Sequence, residues 1–119
     1  MVFDPDVAPR VPDDFERWYL KQTEWSEGHS YNDPKTSTEA LANWYADIST
    51  LFPPMNGPFA SLDLDNPKVS DYSIGKSVIY VAFAWSQARD AYDTVTHLAA
   101  KHGIGFFDVS GDLGEIRFP

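Results

Sequence analysis

Hydrophobic positions change their period along the chain, and the sharpest change lies between Ser77 and Val109. In Ser77–Ala84 (SVIYVAFA) apolar residues fall on both parities: Val78, Tyr80, Ala82 and Ala84 on one, Ile79, Val81 and Phe83 on the other. Successive strand side chains point to opposite faces, so this pattern predicts a strand covered on both sides. From Ser86 to His102 the apolar positions step by three and four instead, from Trp85 through Ala88, Ala91/Tyr92, Val95 and Leu98/Ala99. That is one face of an amphipathic helix, with Lys101 and His102 at its negative end and Gly103 as its stop. Ile104–Val109 is again apolar on both parities. Strand, helix and strand in this order predict a crossover between two parallel strands.

Weaker patterns flank this unit. Asp71–Ile74 alternates Tyr72 and Ile74 with polar residues, and Gly75-Lys76 suits a tight turn back into the central strand. Gly111–Gly114 makes a second turn, and Glu115–Phe118 points Ile116 and Phe118 one way and its charges the other, as an edge strand does. The prediction is an α+β fold with a four-stranded mixed sheet (ββαββ, residues 71–119) in chain order, its middle pair parallel and adjacent. Before it, residues 1–12 carry Pro5, Pro9 and Pro12 and read as an extended arm. Residues 13–52 hold two helices. The first opens on the capping pattern Asp13–Glu16 and carries Phe15, Trp18/Tyr19, Gln22 and Trp25 as far as Gly28. The second opens near Thr36–Glu39, carries Leu41, Trp44/Tyr45, Ile48 and Leu51/Phe52, and stops at Pro53-Pro54. These two helices are expected on one face of the sheet and the helix 86–102 on the other. In the pairs Trp18-Tyr19 and Trp44-Tyr45 one member is expected at a boundary. Residues 53–70 have no period and form a long loop, a type of segment that is commonly functional. All 119 residues read as one domain.

Composition then narrows the chemistry. Eighteen acidic residues against nine basic ones leave a net charge of −9. Such a field repels nucleic acid and anionic membranes and attracts a basic partner. With no cysteine there is no disulfide framework, thiolate nucleophile or cysteine zinc site. The start of the chain has neither the basic residues nor the apolar run of a signal peptide, which predicts a cytoplasmic protein. Ile74-Gly-Lys-Ser77 looks like the end of a phosphate loop, but position 70 is serine and a strand follows, so a hairpin turn explains it. Asp108–Asp112 with Glu115 lacks calcium-loop spacing. His97 and His102 are five apart, off the four-residue step that places two ligands on one helix face. No catalytic residue, cofactor or metal is assigned.

Two groups of carboxylates remain, Asp63, Asp65 and Asp71 in and after the long loop, and Asp108, Asp112 and Glu115 around the last hairpin. Met55 and Phe59 lie beside the first group. Loops on a rigid scaffold are where binding residues concentrate. In general character, small, acidic and cysteine-free with no catalytic motif, the chain resembles the immunity proteins that bacteria make against polymorphic or contact-dependent toxins. That resemblance implies occlusion of a basic toxin. Asp63, Asp65 and Asp71 would take the place of phosphates, and Met55, Phe59 or a boundary aromatic residue would supply the apolar anchor. Two other readings stand beside it: a small enzyme or ligand-binding domain with a pocket between the sheet and the 53–70 loop, and a module that dimerises through the edge strand Glu115–Phe118.

Overall fold

The computed structural model describes residues 1–63, 65–111 and 114–119. Strands β1 (Val2–Phe3), β2 (Asp71–Ile74), β3 (Val78–Ala82), β4 (Gly105–Phe107) and β5 (Ile116–Arg117) combine with helices α1 (Pro12–Gln22), α2 (Glu39–Ile48) and α3 (Ala88–His102). The fold is α+β, and the five strands form one sheet in the order β2-β3-β1-β4-β5. Every neighbouring pair is antiparallel.

This corrects the four-stranded mixed layout. The crossover does join two strands of like direction, because β3 and β4 are each antiparallel to β1. They are not neighbours, however. The amino-terminal segment, read as an arm, inserts between them, with Val2 opposite Ile79 and Phe106, and Phe3 opposite Val78 and Gly105. Met1 and Phe107 extend this ladder by exchanging N–H···O bonds of 2.8 and 3.0 Å. The proline-spaced remainder of the arm leads into α1, with Pro12 as the first helical residue and no side-chain cap. The outer pairings are as the sequence predicts: Asp71–Ile74 lies against Ala82–Ile79, and Phe106–Phe107 against Arg117–Ile116.

The distribution of helices over the two faces is also corrected. Leu41, Trp44, Tyr45 and Ile48 of α2 and Ala91, Val95, Leu98 and Ala99 of α3 share one core with Val2, Tyr72, Ile74, Ile79 and Phe106. On the opposite face α1 stands alone, with Phe15 packing on Phe3 and Val78. Trp44 and Tyr45 are both buried, at 0% and 4% exposure, because α2 packs against α3 and also against the sheet, so that it has apolar neighbours on two sides. The Trp44 indole donates to Val95 O and the Tyr72 hydroxyl to Phe52 O, so the polar ends of these buried rings are satisfied. Thr38, not Thr36, caps α2, accepting from Leu41 N. Gly105 lies directly under the Phe3 ring, where a Cβ would come within 2.1 Å of the ring carbons.

Helix α1 ends at Gln22, six residues before the glycine expected to stop it. Trp25 and Tyr31 then take left-handed backbone, at φ 53° and 58°, in a tight loop. This early stop matters for the surface. On the α1 face no helix among the described residues continues over the far end of β3, and exposure rises along that strand from buried Val78 and Ile79 through half-buried Tyr80 and Val81 to exposed Ala82. Among the described residues, no helix is long and apolar enough to cross a membrane.

Candidate functional site

The uncovered end of β3 is bordered by a cleft on either side. The first, of about 470 Å³, lies between the end of β3, the start of α3 and the segment after β4, with Tyr80, Phe83, Trp85, Tyr92, Phe106 and Asp108 among its lining. Met1, at the start of the β1 ladder, is also among the cleft's lining. Burial lowers the Met1 amino group to about 5, with the Asp108 carboxylate pulling the other way. Trp85 stands on the rim, 87% exposed. Its exposure follows from local structure: Trp85–Gln87 form a 3-10 turn before α3, which rotates the indole off the helix stripe that the three- and four-residue spacing assigned to it.

The second cleft, of about 340 Å³, lies on the α1 face and is lined by Tyr19, Thr23, Trp25, Asp71, Ser73, Tyr80 and Ala82. Strand alternation explains its floor, since Asp71 and Ser73 point away from the face that buries Tyr72 and Ile74. The last turn of α1 and Trp25 make the wall. Trp25 packs edge-on to Tyr80, with ring centroids 6.3 Å apart. Tyr19 has its hydroxyl pushed above the usual phenol range by burial and by the nearby Tyr80. The two clefts meet at Tyr80 and Ala82.

The structure therefore brings Asp71 and Asp108 to opposite flanks of one strand end, although sequence reasoning assigned them to separate groups. Asp63 and Asp65 lie on the 53–70 loop, which is drawn closed where Met55 N donates to Ser70 O and Ser70 N to Pro53 O. That loop runs straight into Asp71, so these three carboxylates belong to one continuous segment. Asp63, Asp65 and Asp71 are exposed, and among the described residues none of them takes part in an ion pair. Met55 and Phe59 are 45% and 60% exposed, and Leu62 is fully exposed beside them. Among the described residues of this stretch, only Phe52, Pro54, Val69 and Ser70 at the base of the loop are buried.

Glu115 is placed differently from its sequence group. It accepts from the Tyr92 hydroxyl at 2.6 Å and from Arg117 Nε at 2.6 Å, and these bonds hold its carboxyl below the usual range. It is engaged within the molecule. Asp112 lies outside the described residues. Among the described residues, none of the 53–70 loop lines either cleft. Among the described residues, no group of three His, Asp or Glu side chains gathers closely enough to hold a metal ion. Sequence reasoning missed Tyr80 and Trp85 as surface aromatics, and the only signal for Trp85 was its position at the junction of two periods.

The fold and surface define a small antiparallel α+β protein with an acidic, aromatic-edged face. Compared with protein families, curated proteins and solved structures, the chain matches none of them.

Proposed function

We propose that this protein is a binding protein that captures a basic protein partner and covers its working surface, in the manner of the immunity-type inhibitors it resembles in character. The observation that carries the reading is the segment from Met55 to Asp71. It presents exposed apolar side chains (Met55, Phe59, Leu62) among unpaired carboxylates (Asp63, Asp65, Asp71). An isolated exposed hydrophobic residue is ordinary, but three on one tied loop are the apolar part of a contact surface. The carboxylates around them select a cationic partner and speed its approach, while the apolar groups resist dissociation. Trp85 and Asp108 extend the same chemistry to the first cleft.

Affinity capture from a lysate of the source cell, at low and at high ionic strength, tests the reading. A basic protein retained at low salt and released at high salt supports it, because screening shortens the reach of surface charges. Retention must also fall when Asp63 and Asp65 are both replaced by Asn. No basic protein at low salt, or capture indifferent to those two substitutions, contradicts it.

A further inference from the structure

The second cleft has a chemistry of its own. Its charged member is Asp71, whose carboxylate has no hydrogen-bond or ion-pair partner among the described residues, and no lining residue is cationic. Around it stand two phenols and an indole, with the hydroxyls of Thr23 and Ser73 between them. The wall is Tyr19 from the last turn of α1 with Thr23 and Trp25 just beyond it. Thr23 already spends its hydroxyl proton on Tyr19 O and Leu20 O, so its oxygen is left as an acceptor. Negative potential, acceptor oxygens and aromatic rings together favour a cation that is flat and carries several donors.

We infer that the second cleft receives an arginine side chain, its guanidinium paired with Asp71 and lying against Tyr80, Tyr19 and Trp25. A guanidinium offers five donors in a plane and stacks on aromatic rings, whereas an ammonium is a compact and strongly hydrated point charge. The same molecule already uses arginine in this way: Arg10 lies 4.4 Å from the centre of the Phe118 ring. Ser73 on the floor supplies a further acceptor beside Asp71. The inference rests on the capture of a basic partner proposed above and names the side chain that partner inserts.

The test uses the whole chain and three small probes, N-acetyl-arginine methylamide, its neutral citrulline isostere and the corresponding lysine compound, followed by two-dimensional NMR. The expected result is saturable arginine binding with shifts at Ser73, Tyr80 and the Trp25 indole. Binding should weaken roughly tenfold in Asp71→Asn, as loss of a charge-assisted hydrogen bond requires, and citrulline should not saturate. Asp71 is exposed, so the variant keeps its fold, which its own spectrum verifies. Absence of saturable shifts in the cleft, equal binding of citrulline, or unchanged affinity in Asp71→Asn overturns the inference. A lysine compound that binds as tightly overturns the choice of guanidinium. The probes need no protein partner, so the two proposals fail separately. Arginine bound in the cleft with no basic protein captured removes the partner reading alone, and capture that depends on Asp63 and Asp65 with no arginine bound removes the cleft inference alone.

Discussion

Gly105 and Phe3 show how little freedom single residues have at the centre of this sheet. The Phe3 ring lies on the bare Cα of Gly105 and makes edge contacts with Phe15 and Phe118, at centroid distances of 5.0 and 5.2 Å. Gly105→Ala places a methyl group inside that ring and should destabilise the protein by about 1–3 kcal/mol, as overpacking does, measured by urea denaturation. An unchanged midpoint would show that the ring moves aside freely. Asp47 makes a second local statement. Its carboxylate accepts from Lys101 Nζ at 2.9 Å and bonds His102 Nε2 at 2.6 Å, tying the end of α2 to the end of α3. Those bonds hold its carboxyl below the ordinary range. A depressed folded value contributes stability that is fully present above about pH 4, where the unfolded carboxyl is ionised, and is lost as pH falls through the folded value. Asp47→Asn should therefore lower stability at neutral pH and narrow its gap to the parent protein as the solution is acidified, read from thermal midpoints across that range. A gap that widens in acid would contradict this.

At the scale of elements, β1 carries more than its two residues suggest, because it stands at the centre of the sheet and joins the β2–β3 half to the β4–β5 half. Phe3→Ala should cost about 3–5 kcal/mol, a large part of the 5–15 kcal/mol typical of a whole domain. Removal of residues 1–3 should abolish cooperative unfolding, seen by calorimetry. Strands β2 to β5, the three helices and the antiparallel pairing of the two outer strand pairs were legible in the sequence because each has its own period or its own turn. The position of β1 was not legible. Two residues are too short to show alternation, and the prolines that follow suggest an arm, although Met1-Val2-Phe3 is an unbroken apolar run. Nor does a helical stripe say which face of a sheet it covers. Leu41 and Ile48 are buried as their stripe predicts, whereas Trp44 and Tyr45 are both buried where one was expected at a boundary. Only contact with α3 places these side chains beside Val95 and Leu98. The end of α1 was overread because Trp25 continues the spacing of Phe15 and Trp18, while its backbone has already turned left-handed.

On the scale of the whole molecule, the surplus of nine negative charges is legible from composition, but its arrangement is not. Folding draws Glu115 into a bond network with Tyr92 and Arg117, leaves Asp63, Asp65 and Asp71 on one segment without an ion pair among the described residues, and places Asp71 and Asp108 beside the same strand end. The apolar residues that sequence reasoning placed on the candidate surface, Met55 and Phe59, are exposed on the loop, and Leu62 is exposed beside them. Replacing Phe59 with Ala should raise the Kd for a captured partner by about fivefold or more, as loss of an anchor worth above about 1 kcal/mol requires, with no loss of thermal stability because its ring is exposed. Titration calorimetry against the purified partner reads this directly. The most direct test of the central claim is a parallel capture from the same lysate by the parent protein and by a folded variant carrying Asp63→Asn, Asp65→Asn, Asp71→Asn and Phe59→Ser. The account predicts one basic protein on the parent at low salt and its absence from the variant; the same protein held equally by both, or none held by either, would contradict it.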